Sequence, residues 1–178
     1  MNKTIEEVNL GFIEAFGQET FNEFETLSQL EPFVEMVAAD LDVNPLSLAI
    51  EDIEEDSKLL YLPEAGYGII ISKRCFKNRK ETIKCILHEM RHYKQKLIIE
   101  KELPHPLKDL LKENLSNFYI PEDKTDNEQM CKYTLQPIEL DAFAYTKYFF
   151  KKYLNQDLII FHQTIEVLFD LYIEKYLK

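Results

Sequence analysis

The sequence predicts a mainly helical α+β fold built as a single domain. Three observations lead there. Apolar residues recur at helical spacing over several long stretches. Two short runs, "KLLYLP", extended in pattern, and "YGIIIS", apolar and β-branched, flank the turn signal "EAG". A chain of 178 residues, 46% of them apolar, is long enough to bury one core without disulfide staples.

Taken in order, residues 4–16 read as a helix with Ile5, Val8, Phe12 and Phe16 on one stripe. Residues 28–41 read as a second, opened by Ser28 as N-cap, with Leu30, Phe33, Val34, Val37 and Ala38 inward. "PLSLAIEDI" is extended in pattern, and residues 58–72 read as a hairpin. Residues 79–101 form the best-marked helix: Asn78 can cap it, Glu81 stands in the reciprocal capping position, and no Gly or Pro interrupts it before Pro104. Ile83, Ile86, Leu87, Met90 and Leu97 share one face, while Cys85, His88, His92 and Ile99 lie roughly opposite. A helix with two such faces belongs inside the domain, packed on a small sheet of about three to five strands. A short helix at 106–116, an exposed loop "SNFYIPEDKTDNEQ", a helix opening at Pro137 and a last helix at about 157–176 complete the chain. Tyr148, Phe149, Phe150, Tyr153, Phe161, Leu168, Phe169 and Tyr172 read as core or helix contacts. The expected organisation is one domain over 1–178, with an acidic, mainly helical part at 1–56 and a catalytic core at 57–178.

The net charge of −11 argues against nucleic acid as a partner. Its distribution is uneven: −14 over residues 1–70, +7 over 71–112 and −4 over 113–178. The simplest account is solvated or mutually facing surfaces. A sharper one places the basic middle segment beside a site that attracts an acidic substrate. No apolar run is long enough to span a bilayer, and the amino-terminal residues lack a basic start followed by an apolar block. Three cysteines without a CxxC pair fit reduced thiols, so the expected location is the cytoplasm, away from membranes.

The chemistry concentrates in "CILHEMRHYKQ". Spacing i, i+4 stacks His88 and His92 on one helix face, where two imidazoles can hold one Zn²⁺ at ~2.0–2.1 Å each. Glu89 is turned ~100° around the axis from His88, beside such an ion, where a general base can take a proton from water. The plain alternative is two hydrogen-bonded histidines with no ion. Di-iron chemistry needs a second Glu-x-x-His pair on a facing helix, and the only other pair, Glu102 to His105, contains helix-breaking Pro104.

A catalytic zinc takes a third protein ligand. His105 and His162 are available, but "QPIELDAFAY" is the better source: Glu139 lies among apolar neighbours, and a buried carboxylate there needs a strong partner. A capping role behind Gln136 competes for Glu139. Asp141 is the alternative ligand, or else accepts a hydrogen bond from a ligating histidine and fixes its tautomer.

These residues resemble a zincin metallopeptidase of the gluzincin type, and more narrowly the small bacterial ImmA/IrrE-like metallopeptidases. "GYGIIIS" matches the strand before the active helix, "NRKETIKCILHEMRH" the lead-in and helix, and "ELDAFA" the later helix, over about residues 66–150. The resemblance implies a zincin-like fold, His88, His92 and Glu139 as zinc ligands, Glu89 as base, and hydrolysis of a peptide bond in a cytoplasmic protein substrate, by analogy a regulator such as a transcriptional repressor. It also implies that Gly68, Ile69, Ile70 and Ile71 form the sheet edge along which a substrate peptide lies; a buried central strand is the competing reading. Family members commonly stabilise the oxyanion with Tyr or His, and Tyr133, His105 and His162 all qualify. The chain departs from the family with Arg91 in place of Gly, Phe143 in place of Asn, and no Leu-Leu-Met-Pro tail. The alternative function is a non-catalytic zinc-binding regulatory protein, for which Glu89 would have no purpose; there a fourth side chain such as His105 or Cys131 would close the site.

Overall fold

Gly66 takes φ +79°, a left-handed conformation that side chains resist, and this turns the chain between two strands. The computed structural model describes residues 27–160 and 163–178. The expected helix at 4–16, with Ile5, Val8, Phe12 and Phe16, lies outside the described residues, as do Phe161 and His162. After a 3₁₀ turn at Leu27–Leu30 come α1 (Glu31–Leu41), β1 (Ser47–Glu51), β2 (Ser57–Leu62), β3 (Gly66–Ser72), a short α2 (Lys73–Phe76) and the long α3 (Arg79–Glu100). Then follow α4 (Lys108–Ser116), α5 (Asn127–Thr134), α6 (Pro137–Leu154) and α7 (Gln163–Tyr176). The architecture is α+β, helix-rich, with a small sheet, as expected.

The hairpin β2–β3 forms in antiparallel register, Leu59 opposite Ile69, and β1 adds to the other side of β3 in parallel, Ala49 opposite Ile70. The strand order is therefore β1-β3-β2. This corrects the expectation that Gly68, Ile69, Ile70 and Ile71 form a sheet edge: both sides of β3 are paired, and the outer strands are β1 and β2. The physical reason is visible at Gly68, where an added Cβ would meet the Ser47 side-chain oxygen at 2.9 Å; the missing side chain lets β1 approach. The same pairing places β1, inside residues 1–56, in one sheet with strands of 57–178, so a boundary at 56/57 would cut through the sheet.

Ile69 and Ile71 point from β3 into a core shared with Phe33, Val37, Ile83, Ile86, Leu87, Met90 and Phe149. Helix α3 lies at its centre, touching β2, β3, α1, α4 and α6. It is buried on both faces, as its sequence predicts, and Asn78 caps it by accepting from the Lys80 and Glu81 backbone N–H groups. The reciprocal half of the capping box is absent: the Asn78 N–H bonds the Cys75 carbonyl, and Glu81 turns to Lys84.

Three boundaries differ from expectation. Helix α1 starts at Glu31, with Pro32 in its first turn, and no Ser28 cap opens it. Helix α5 occupies part of the stretch expected to be loop, started by Asp126 accepting from two backbone N–H groups. Helix α6 ends at left-handed Asn155, and α7 begins only at Gln163. No helix of the described residues is long and apolar enough to cross a membrane.

Candidate metal centre

Two helices build the site. On α3, His88 and His92 stand one turn apart with rings perpendicular and their Nε2 atoms 2.9 Å from each other. From the first turn of α6, Glu139 reaches across, Oε2 at 3.3 Å from His88 Nε2 and Oε1 at 3.5 Å from His92 Nε2. The three donor atoms all lie within 4.8 Å of one another. Donors held tetrahedrally at ~2.0–2.2 Å around one Zn²⁺ stand roughly 3.3 Å apart, which is this spacing.

The donor set fits a cation on chemical grounds as well. Glu139 is 3% exposed, and its Oε2 completes no hydrogen bond of good geometry; nor does buried His88 Nδ1. A buried carboxylate oxygen without a hydrogen bond is costly, and a shared cation would satisfy it. Two imidazoles and a carboxylate are the ligand types zinc accepts. Burial alone would raise the Glu139 pKa, but hydrogen bonding and charge from His88, with His92 and Tyr133 adding, hold it below the ordinary carboxylate range. Burial likewise opposes the charged form of His88, yet Glu139 and Glu89 outweigh it and raise its pKa. The pocket thus favours positive charge at the meeting point of the three side chains.

The capping role for Glu139 does not hold. Gln136 makes no side-chain cap bond; its amide is engaged by the Tyr119 backbone on both sides. The first turn of α6 is served by Asn114 of α4, whose Oδ1 accepts from the Ile138 N–H at 3.1 Å. Glu139 is left to face the histidines.

Glu89 is buried on the side of α3 that meets the sheet, and the Ser57 hydroxyl at the start of β2 donates to its Oε1 at 2.7 Å. Phe143, one turn beyond Glu139, packs against the His88 ring with centroids 4.5 Å apart. Tyr133, from α5, lies beside the Glu139 carboxylate; burial and that charge raise its pKa, so the hydroxyl keeps its proton. His105 stands outside the cluster and accepts from the Leu107 N–H, and Cys131 is likewise no member of it.

Asp141 is neither a ligand nor a direct partner of a histidine. It is fully buried and ion-paired with Arg91, which donates from Nε at 2.8 Å and from Nη2 at 2.7 Å. It also accepts from Gln95 Nε2 at 2.7 Å and from the Tyr172 hydroxyl of α7 at 2.9 Å. Burial would raise its pKa, but Arg91 and these hydrogen bonds hold it below the usual carboxylate range. Gln95 Oε1 in turn lies 2.8 Å from His92 Nδ1. The expected carboxylate behind a histidine is present, one residue removed.

Sequence reasoning missed Ser57, Gln95, Tyr172 and Asn114. For Gln95 a signal existed: it stands three residues after His92, a spacing that places side chains together on a helix. Arg91 and Phe143, noticed as departures from a family pattern, pair with Asp141 and His88. Ser57, Tyr172 and Asn114 come from other elements and carry no local mark. The chain gives no significant match to any protein-family model, curated protein or solved structure.

Proposed function

We propose that the protein is a zinc-dependent metallopeptidase of the gluzincin type, cleaving a peptide bond in a cytoplasmic protein. The observation that carries this reading is the convergence of His88, His92 and Glu139 within bonding distance of one point, with Glu89 on the same helix. Bound there, Zn²⁺ would supply a Lewis acid that acidifies water and polarises the scissile carbonyl. The histidines would bind through Nε2 and Glu139 through its carboxylate. Glu89, oriented by Ser57, would take a proton from the attacking water and return it to the departing amine nitrogen. Tyr133, protonated and beside Glu139, would donate to the developing oxyanion. With β3 in the middle of the sheet, the substrate would extend along outer strand β2, which carries Ser57. A zinc held by these three side chains would keep its fourth position for water, as a catalytic site requires.

The test is metal content of protein purified without added metal, followed by peptide hydrolysis. About one zinc per wild-type chain is expected, lost in His92→Ala and in Glu139→Ala, with Glu89→Gln loaded but inactive. Absence of zinc from wild type even after reconstitution would refute the proposal. Zinc retained in Glu139→Ala would move the third ligand elsewhere.

A further inference from the structure

We infer that Gln95 is a positioning residue that fixes His92 as its Nδ1–H tautomer, turning the Nε2 lone pair toward His88 and Glu139 before any ion arrives. The inference deepens the proposed metal centre and rests on it for its consequence, though not for its geometry.

Hydrogen-bond capacity decides which nitrogen of His92 carries the proton. A glutamine amide has an acceptor end and a donor end, and the neighbours decide which way it points. Gln95 is buried, at 3% exposure, with Nε2 lying 2.7 Å from Asp141 Oδ2 and 2.9 Å from the Ile138 carbonyl oxygen. Both are acceptors without protons: one is a main-chain carbonyl, the other a carboxylate gripped by Arg91. Reversing the amide would press its oxygen against both. Oε1 is therefore the end that meets His92 Nδ1 at 2.8 Å, and an oxygen that only accepts requires a proton on that nitrogen. In a neutral imidazole the other nitrogen then carries the lone pair, as a metal ligand must.

The amide is itself held from outside α3. Arg91 grips Asp141 bidentately, Tyr172 reaches it from α7, and Ile138 lies in the first turn of α6 beside Glu139. The turn that delivers Glu139 thus also fixes the amide behind His92. Among the described residues nothing comparable stands behind His88, and its Nδ1 finds no hydrogen-bond partner there.

The experiment reads the tautomer directly. In metal-free wild-type protein with ¹⁵N-labelled histidine, long-range proton–nitrogen spectra at the alkaline end of a pH series should show His92 protonated at Nδ1 alone. The resonance is assigned by its loss in His92→Ala. Gln95→Leu should give a mixture of tautomers and bind Zn²⁺ about 10–100-fold more weakly in chelator competition. Tyr172→Phe, which leaves the Gln95–His92 contact in place, should keep the wild-type tautomer even if it melts earlier. A wild-type ring protonated at Nε2, or a folded Gln95→Leu that retains both tautomer and affinity, overturns the inference. If Gln95→Leu fails to fold, the wild-type spectrum decides alone. An Nδ1–H tautomer in a protein that never binds zinc would sink the peptidase reading and leave this one standing.

Discussion

His88 and His92 sit one turn apart on α3 and point at the same carboxylate, yet they are supported by opposite means. Behind His92 is a run of polar contacts through Gln95 to Asp141, Arg91 and Tyr172. Behind His88 is the ring of Phe143, and among the described residues its Nδ1 bonds nothing. Packing fixes where a ring lies; only hydrogen bonding also fixes which nitrogen holds the proton. One histidine is thus held by packing and by a hydrogen bond, the other by packing alone. Because a hydrogen-bonded Nδ1–H makes Nε2 the better donor, His92 should be the stronger ligand and His88 the one that adapts.

The largest expected effect comes from breaking the polar side. Asp141→Ala leaves Arg91 buried, ion-unpaired and nearly without solvent, and should cost about 3–5 kcal/mol in stability by denaturant unfolding. The double change Arg91→Met with Asp141→Leu removes both charges and should recover most of that loss. It should not fully recover zinc affinity, because Gln95 has lost one of its two anchors and keeps only the Ile138 carbonyl; a double variant that binds zinc like wild type would show that stability alone was at stake.

The apolar side should respond less. Phe143 is only partly buried, so Phe143→Ala should cost about 1–2 kcal/mol, below the value for a fully buried ring. Its effect on zinc affinity should be smaller than that of Gln95→Leu, since it removes shape and no hydrogen bond. The reverse order would invert the comparison. Smallest is Ser57→Ala, which deletes one donor to Glu89: roughly 0.5–1.5 kcal/mol in stability, unchanged zinc content, and reduced peptide hydrolysis if Glu89 is the base.

What was legible in the sequence follows the same division between local and distant causes. The spacing of His88 and His92 is a property of one helix, and a carboxylate at Glu139 among apolar neighbours announces that something must satisfy it. The α3 cap at Asn78 and the turn at Gly66 are equally local. The position of β3 was not readable, because it depends on β1 pairing across an intervening hairpin, and a run of Ile suits a central strand and an outer one alike. Asn114 caps a helix 24 residues away, and α5 is a short polar helix whose pattern is that of a loop. Asp141, expected as an alternative ligand or as a direct partner of a histidine, reaches His92 only through Gln95, because the route depends on how α3 and α6 cross.

The Tyr172 hydroxyl carries one further consequence, for the order in which the protein comes into being. Ribosomes deliver the chain amino end first. Asp141 emerges thirty-one residues ahead of the tyrosine that helps to hold it. The support behind His92 is therefore complete only once Tyr172 has been made and α7 has packed against α6.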